Sequence, residues 1–211
     1  VEPGWEERWR EFHRPVQVGP FWIGPPWQLP PRDATALVID PGQAFGTGAH
    51  ATTRLILREI EGLCDARAPV ARFLDVGCGS GILAIATALL WPASTGVAVD
   101  VDPPAVDAAS ENCEKNGVSA RVAVSATPLA DIPGTFDLIL ANIQADVLRA
   151  LAEDLAARMN PGGHLVLSGL LAHQAGDVAR YIADVSGLTV MGTRREDDEP
   201  DWSSVLLHRP A

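Results

Sequence analysis

The densest chemistry in this chain lies in Asp75-Val-Gly77-Cys-Gly79-Ser-Gly81, where three glycines alternate behind one carboxylate. The segment follows a strand-length apolar run, Phe73–Val76, and opens a helical stretch, Gly81–Trp91. Glycines let a backbone turn sharply and approach a ligand without a Cβ in the way. A helix that starts there adds unpaired N–H groups. Asp100 stands nineteen residues after Gly81, at the end of the next apolar run, Gly96–Val99. A carboxylate at that position can accept both hydroxyls of a ribose. Gly77, Gly79 and Asp100 are therefore candidate ligands for a nucleoside at the carboxyl ends of buried strands.

The spacing alone leaves two cofactors open. Gly79-Ser-Gly81-Ile-Leu-Ala84 also fits the dinucleotide fingerprint G-x-G-x-x-A, so an NAD-dependent oxidoreductase competes with a methyltransferase that uses S-adenosylmethionine. Three features favour the methyl donor. Asp75 precedes the loop, where an acid suits the cationic amino-acid end of that donor and would repel a pyrophosphate. Tyr181 and Lys115, the single Tyr and the single Lys, are far apart and make no hydride-transfer pair. The chain also ends in a hairpin pattern that an all-parallel dehydrogenase sheet lacks.

A second loop, Asp40 to Thr53, holds three Gly, one Phe and several hydroxyls. Such a loop suits a cover over a ligand: Phe45 would exclude water, and Thr47 and Thr53 offer hydroxyls. Thr52 or Thr53 would also cap the helix that follows, and His50 reads as a surface or capping residue before it reads as a catalytic one. Asn142 ends the apolar run Phe136–Ala141, at the same strand edge as Gly77 and Asp100. Its amide oxygen could accept a hydrogen bond from an amine about to be methylated, which makes Asn142 the candidate catalytic residue.

These residues need a scaffold, and the hydropathy pattern supplies one. Strand-length runs at Leu37–Ile39, Phe73–Val76, Gly96–Val99, Val122–Val124, Phe136–Ala141 and Leu165–Leu167 alternate with helical stretches at Thr52–Leu63, Gly81–Trp91, Ala105–Asn116, Ala145–Met159 and His173–Val185. Continuous apolar runs mean strands covered on both faces, hence a parallel, doubly wound α/β sheet. Leu188–Val190 and Ser204–His208 flank the acidic turn Glu196–Asp201 with no helix between, so the last strand should be antiparallel. Residues 1–31 differ: Trp5, Trp9, Trp22 and Trp27 among many Pro and Gly predict a strap packed on the domain of residues 32–211. Within it Glu6–Phe12 reads as a short helix and Phe21–Ile23 as a short strand.

Composition narrows the partners. A net charge of −11 argues against an unaided grip on a nucleic-acid backbone and suits a basic protein partner or a cationic ligand. Lys115 is the only Lys among 16 basic residues, which speaks against Schiff-base chemistry. Cys64, Cys78 and Cys113 form no C-x-x-C pair, so a reducing compartment and no metal cluster are expected. No run is long enough to cross a bilayer and no signal peptide is visible, so a cytoplasmic monomer is expected. A start at Val1 points to a piece of a longer chain.

Taken together the motifs resemble one family. D-P-G-x-A-F-G-T-G-x-H-x-T-T at residues 40–53 is similar to the PrmA family, the methyltransferases of ribosomal protein L11. Asp75–Gly81, Asp100-Val-Asp-Pro103, Asn112 to Asn116-Gly-Val118, Phe136 to Asn142 and Pro161-Gly-Gly to Ser168-Gly look like that family's later motifs, and the likeness extends to Trp9 and the strap at Pro15–Trp27. The resemblance implies a seven-stranded Rossmann-like methyltransferase sheet. It implies donor contacts at Thr53, Gly77, Asp100 and Asn142, and methylation of lysine side-chain and N-terminal amines on a basic ribosomal protein. The family also carries an N-terminal domain that captures the ribosomal protein, and this sequence opens at the linker to it.

Overall fold

The computed structural model describes residues 14–40, 48 and 50–211. The expected helix at Glu6–Phe12, Trp5, Trp9, and the loop residues Phe45 and Thr47 lie outside the described residues. The strands are β1 (Val16–Val18), β2 (Phe21–Gly24), β3 (Thr35–Val38), β4 (Arg72–Val76), β5 (Thr95–Val99), β6 (Val122–Ser125), β7 (Phe136–Asn142), β8 (Met159–Leu171), β9 (Thr189–Arg194) and β10 (Trp202–His208). The helices are α1 (Ala51–Asp65), α2 (Ile82–Leu90), α3 (Pro103–Lys115), α4 (Ala145–Ala150), α5 (Ala152–Ala157) and α6 (Ala172–Ser186).

Seven strands form the main sheet in the order β6-β5-β4-β7-β8-β10-β9. β4 to β8 run parallel, and β10 lies antiparallel between β8 and β9. The period-2 alternation of the strands sorts two cores. Phe73, Leu138, Leu140 and Val166 face α1, α2 and α3. Leu74, Ile139, Ala141, Leu165 and Leu167 face α4, α5 and α6. Each layer of helices buries its apolar stripe on one face, which is why the central strands read as mostly apolar runs.

The expected doubly wound sheet with an antiparallel last strand is present. Three local expectations change. The run at Leu37 does not enter the main sheet: β3 pairs in parallel with β2 and belongs to a three-stranded sheet β1-β2-β3. Leu37, Phe21 and Ile23 still pack in the first core, so the three-stranded sheet contributes to the interior. The helix expected at Ala145–Met159 is split at Leu151, whose N–H reaches the Val147 carbonyl while its own carbonyl accepts from Leu155. Met159 starts β8 instead of ending that helix.

Candidate active site

The order β5-β4-β7 places the topological switch of the sheet between β4 and β7, since β4 leads outward to β5 in one direction and β7 starts the other half. Ligands of open α/β sheets bind at that crevice, beyond the carboxyl ends of the strands. Val76 is opposite Ala141 across it, so Gly77 and Asn142 follow on its two walls. Gly77, Gly79 and Asp100 meet there as well. The N–H groups of Gly77 and Cys78 both donate to the Val99 carbonyl, at 2.8 and 3.0 Å, and fold the loop across the end of β5. Gly77 has φ 72°, and a Cβ on it would stand 2.5 Å from Cγ2 of Ile143. Only glycine fits that turn.

Asp100 holds its own surroundings. One carboxylate oxygen accepts the Gly79 N–H at 2.9 Å and the other accepts the Asp102 N–H at 3.0 Å. Each oxygen retains a lone pair for a ligand hydroxyl. Next to it Val101 is 92% exposed, an apolar side chain in the open beside a carboxylate. The sequence reading missed Val101; an apolar residue directly after the strand-end acid was the available signal.

On the other wall, the Asn142 Nδ2 donates to Thr53 Oγ1 at 3.4 Å, and Thr53 is fully buried. The Asn142 Oδ1 is buried and finds no donor among the described residues. A buried amide oxygen without a partner costs about 1–3 kcal/mol, which makes Asn142 the candidate here for receiving a further donor.

Two sequence readings are corrected here. Neither Thr52 nor Thr53 caps α1: His50 is the N-cap, its Nδ1 accepting the Thr52 N–H at 3.3 Å. Its ring also meets Trp202 edge-on at 4.9 Å. Asp75 does not line the crevice either. It is fully buried, and its Oδ2 accepts the Ala84 N–H at 3.1 Å, capping the first turn of α2 from below the glycine loop. Its other oxygen has no partner among the described residues. Burial, helped by the Asp100 charge and opposed by the Ala84 bond, pushes Asp75 up to about 7. The thiols of Cys78 and Cys113 are pushed up for the same first reason, burial, with Asp75 adding repulsion.

Two asparagines on α3 tie the end of β3 to this site. Asn112 Nδ2 donates to the Ser80 carbonyl in the glycine loop at 2.9 Å, while its Oδ1 accepts the Asp40 N–H. One turn later, Asn116 accepts the Val38 N–H and donates to the Val38 carbonyl. The i, i+4 spacing puts both on one helix face, where they clamp the end of β3, and the start of the Asp40 loop, against the glycine loop. Among the described residues no group of three or more His, Cys, Asp and Glu is placed to hold a metal ion, and no helix is long and apolar enough to cross a membrane.

A mixed seven-stranded sheet with this order, a glycine cradle at the switch and an acid on the next strand define the Rossmann-like methyltransferase fold. The N-methyltransferase NodS from Bradyrhizobium japonicum WM9, solved in complex with S-adenosyl-l-homocysteine, shares it: TM-score 0.62 at 20% identity, over 79% of this chain and 92% of that one. The chain belongs to the family described as Ribosomal protein L11 methyltransferase (PrmA), whose model matches residues 1–209. It is 44% identical over 211 residues to the ribosomal protein L11 methyltransferase of Geobacter metallireducens, covering 97% of this chain and 66% of that protein. The crystal structure of a ribosomal protein L11 methylase from Lactobacillus delbrueckii subsp. bulgaricus superposes with TM-score 0.81 at 31% identity, over 94% of this chain and 100% of that one. The chain spans about two thirds of the length of the curated relatives it matches.

Proposed function

We propose that this chain binds S-adenosylmethionine in the crevice between β4 and β7 and directs its methyl group to amino groups of ribosomal protein L11, on lysine side chains and at the N-terminus. The observation that carries the reading is the buried Asn142 Oδ1 on the wall of that crevice, which finds no donor among the described residues. The residues present fit the donor. Gly77 and Gly79 leave backbone open to it, Asp100 has lone pairs for the ribose, and the exposed Val101 offers an apolar face for a base. Phe45 and Thr47 belong to the same proposed set through the loop motif. When bound, the donor supplies an electrophilic methyl on a sulfonium. The chain's own residues have to orient the nucleophile, exclude water and favour a neutral amine.

Asn142 meets the first demand by accepting an N–H of the acceptor, so that the nitrogen lone pair points away from the amide and toward the methyl. Thr53 fixes the amide by accepting from its Nδ2. An ammonium of pKa about 10.4 must lose a proton first, and desolvation in the crevice lowers that value. No side chain is assigned as general base. Orientation of this kind is worth an effective molarity of about 10⁵ M or more. The −11 charge steers a basic acceptor at long range. Residues 1–31 are proposed as a strap on a catalytic domain of residues 32–211, in a cytoplasmic monomer.

Replacing Asp100 by Ala should weaken S-adenosylhomocysteine binding by about 1–3 kcal/mol, the range for lost charged hydrogen bonds. Calorimetry that gave an unchanged affinity would remove Asp100 from the donor site. The functional reading as a whole is tested by incubating the chain with labelled donor and purified ribosomal protein L11 and mapping the label by mass spectrometry. Label on lysine and N-terminal amines is the expected result; label on other atoms, or none, refutes it. Joining an N-terminal domain of the kind the family resemblance implies should raise kcat/KM by concentrating the acceptor, with kcat little changed.

A further inference from the structure

Besides the His50–Trp202 contact, four ion pairs join α1 to the β9–β10 hairpin: Glu59 with Arg194, and Arg54 with Glu196, Asp198 and Glu199. Deep in the helix, Glu59 Oε1 accepts from Arg194 Nε at 3.0 Å and from Ser204 Oγ at 3.0 Å. At the other end, in the first turn, Arg54 donates through Nε to Glu196 Oε2 at 2.6 Å and through Nη2 to Glu199 Oε1 at 3.0 Å. The side chains of Arg54 and Glu196 are 13% and 15% exposed, so water screens this pair little. Glu196 and Glu199 belong to the acidic turn that the sequence singled out and that the donor site does not use. The turn is itself anchored at the active edge of the sheet. The Asp201 backbone carbonyl accepts the Ala172 N–H at 2.7 Å, and Trp202 pairs with Leu171, three residues past the Ser168 that pairs with Asn142.

Arg54 directly follows Thr53, the residue whose hydroxyl holds the Asn142 amide. A helix turn clipped at Arg54 has one position along its axis, and Thr53 moves with it. We propose that the Arg54–Glu196 pair is a positioning device for methyl transfer, through which the acidic turn between β9 and β10 sets the Thr53–Asn142 contact and thereby the aim of the Asn142 amide. Neither residue is among those assigned to the donor. The inference rests on the assignment of Asn142 to the acceptor amine.

The test uses Arg54→Ala, Arg54→Lys and Glu196→Gln in the whole chain, with two readouts. The first is turnover on ribosomal protein L11. Arg54→Ala and Glu196→Gln should lower kcat by about tenfold or more, as small misplacements of reacting groups do, while acceptor KM stays within about twofold. Arg54→Lys, which keeps the charge, should recover part of the loss. The second is the side-chain amide resonance of Asn142, assigned by its loss in Asn142→Ala. It should shift in Arg54→Ala and Glu196→Gln and return toward its wild-type place in Arg54→Lys. An amide resonance that stays in place in both variants overturns the proposal, whatever turnover does. A change confined to acceptor KM overturns it too, because the turn would then act by touching the acceptor. If the wild-type chain transfers no methyl to the ribosomal protein, the reading under Proposed function fails, and the resonance alone decides whether the clip aims Asn142. Glu196→Gln keeps the shape of the side chain, so the test survives if Arg54→Ala does not fold.

Discussion

Asn142→Ala should lower kcat on ribosomal protein L11 by about 10²-fold, the scale of losing orientation at a reacting centre, and should leave donor affinity within about tenfold. The stability change separates this from a structural explanation. In the folded protein the Asn142 Oδ1 is buried without a donor among the described residues, and its Nδ2 makes a single 3.4 Å contact. Removing the amide deletes an unsatisfied acceptor at the cost of one long hydrogen bond, so Tm should hold or rise while turnover collapses. A site that stores an unpaired polar group for its substrate behaves in this way. Wild-type turnover in Asn142→Ala would take the residue out of the mechanism. A fall in both turnover and Tm would mean that the amide serves folding.

The second large effect concerns pH. Asp75 has a folded value of about 7 against an ordinary 3.8, because burial disfavours its charge. Between those values the folded chain holds a proton that the unfolded chain has released. The Asp75 contribution to stability is therefore fully present below the unfolded value and declines as pH rises toward 7. At about 1.4 kcal/mol per unit, the whole span is on the order of 4 kcal/mol. Chemical denaturation from pH 4 to 8 should show the wild type losing stability over this window and Asp75→Asn losing much less. The asparagine keeps an oxygen for the Ala84 N–H, so α2 retains its cap. Equal slopes for the two proteins would show that Asp75 is already ionised across the window. The charge lies directly beneath the glycine loop, so donor affinity in the wild type should follow the same titration.

Much of the candidate site was legible in the sequence. Apolar runs such as Phe136–Ala141 announce a strand covered on both faces, because burial acts on each residue where it stands. Glycines 77, 79 and 81 all adopt positive φ, between 52° and 78°, as their spacing after a strand required. Asp100 and Asn142 are polar residues at the ends of apolar strands, and in a parallel sheet all such ends share one edge. Local pattern and edge geometry are enough to bring these residues together.

Sequence by itself determined the element types, the two-sided burial, the glycine turn and the edge on which the polar residues meet. Tertiary structure decided which neighbour each element took and which buried polar atoms lack a partner among the described residues. A run at Leu37 reads the same whether it joins the main sheet or the strap's, and only pairing with Phe21–Gly24 settled it. An acid before a glycine loop reads the same whether it faces the crevice or the core; the pleat of β4 turned Asp75 inward under α2. Arg54 and Glu196 lie 142 residues apart, so no local period connects them. Hydropathy records how deeply a side chain is buried and says nothing of its partner, because a partner is fixed only when the chain closes over the distance between them.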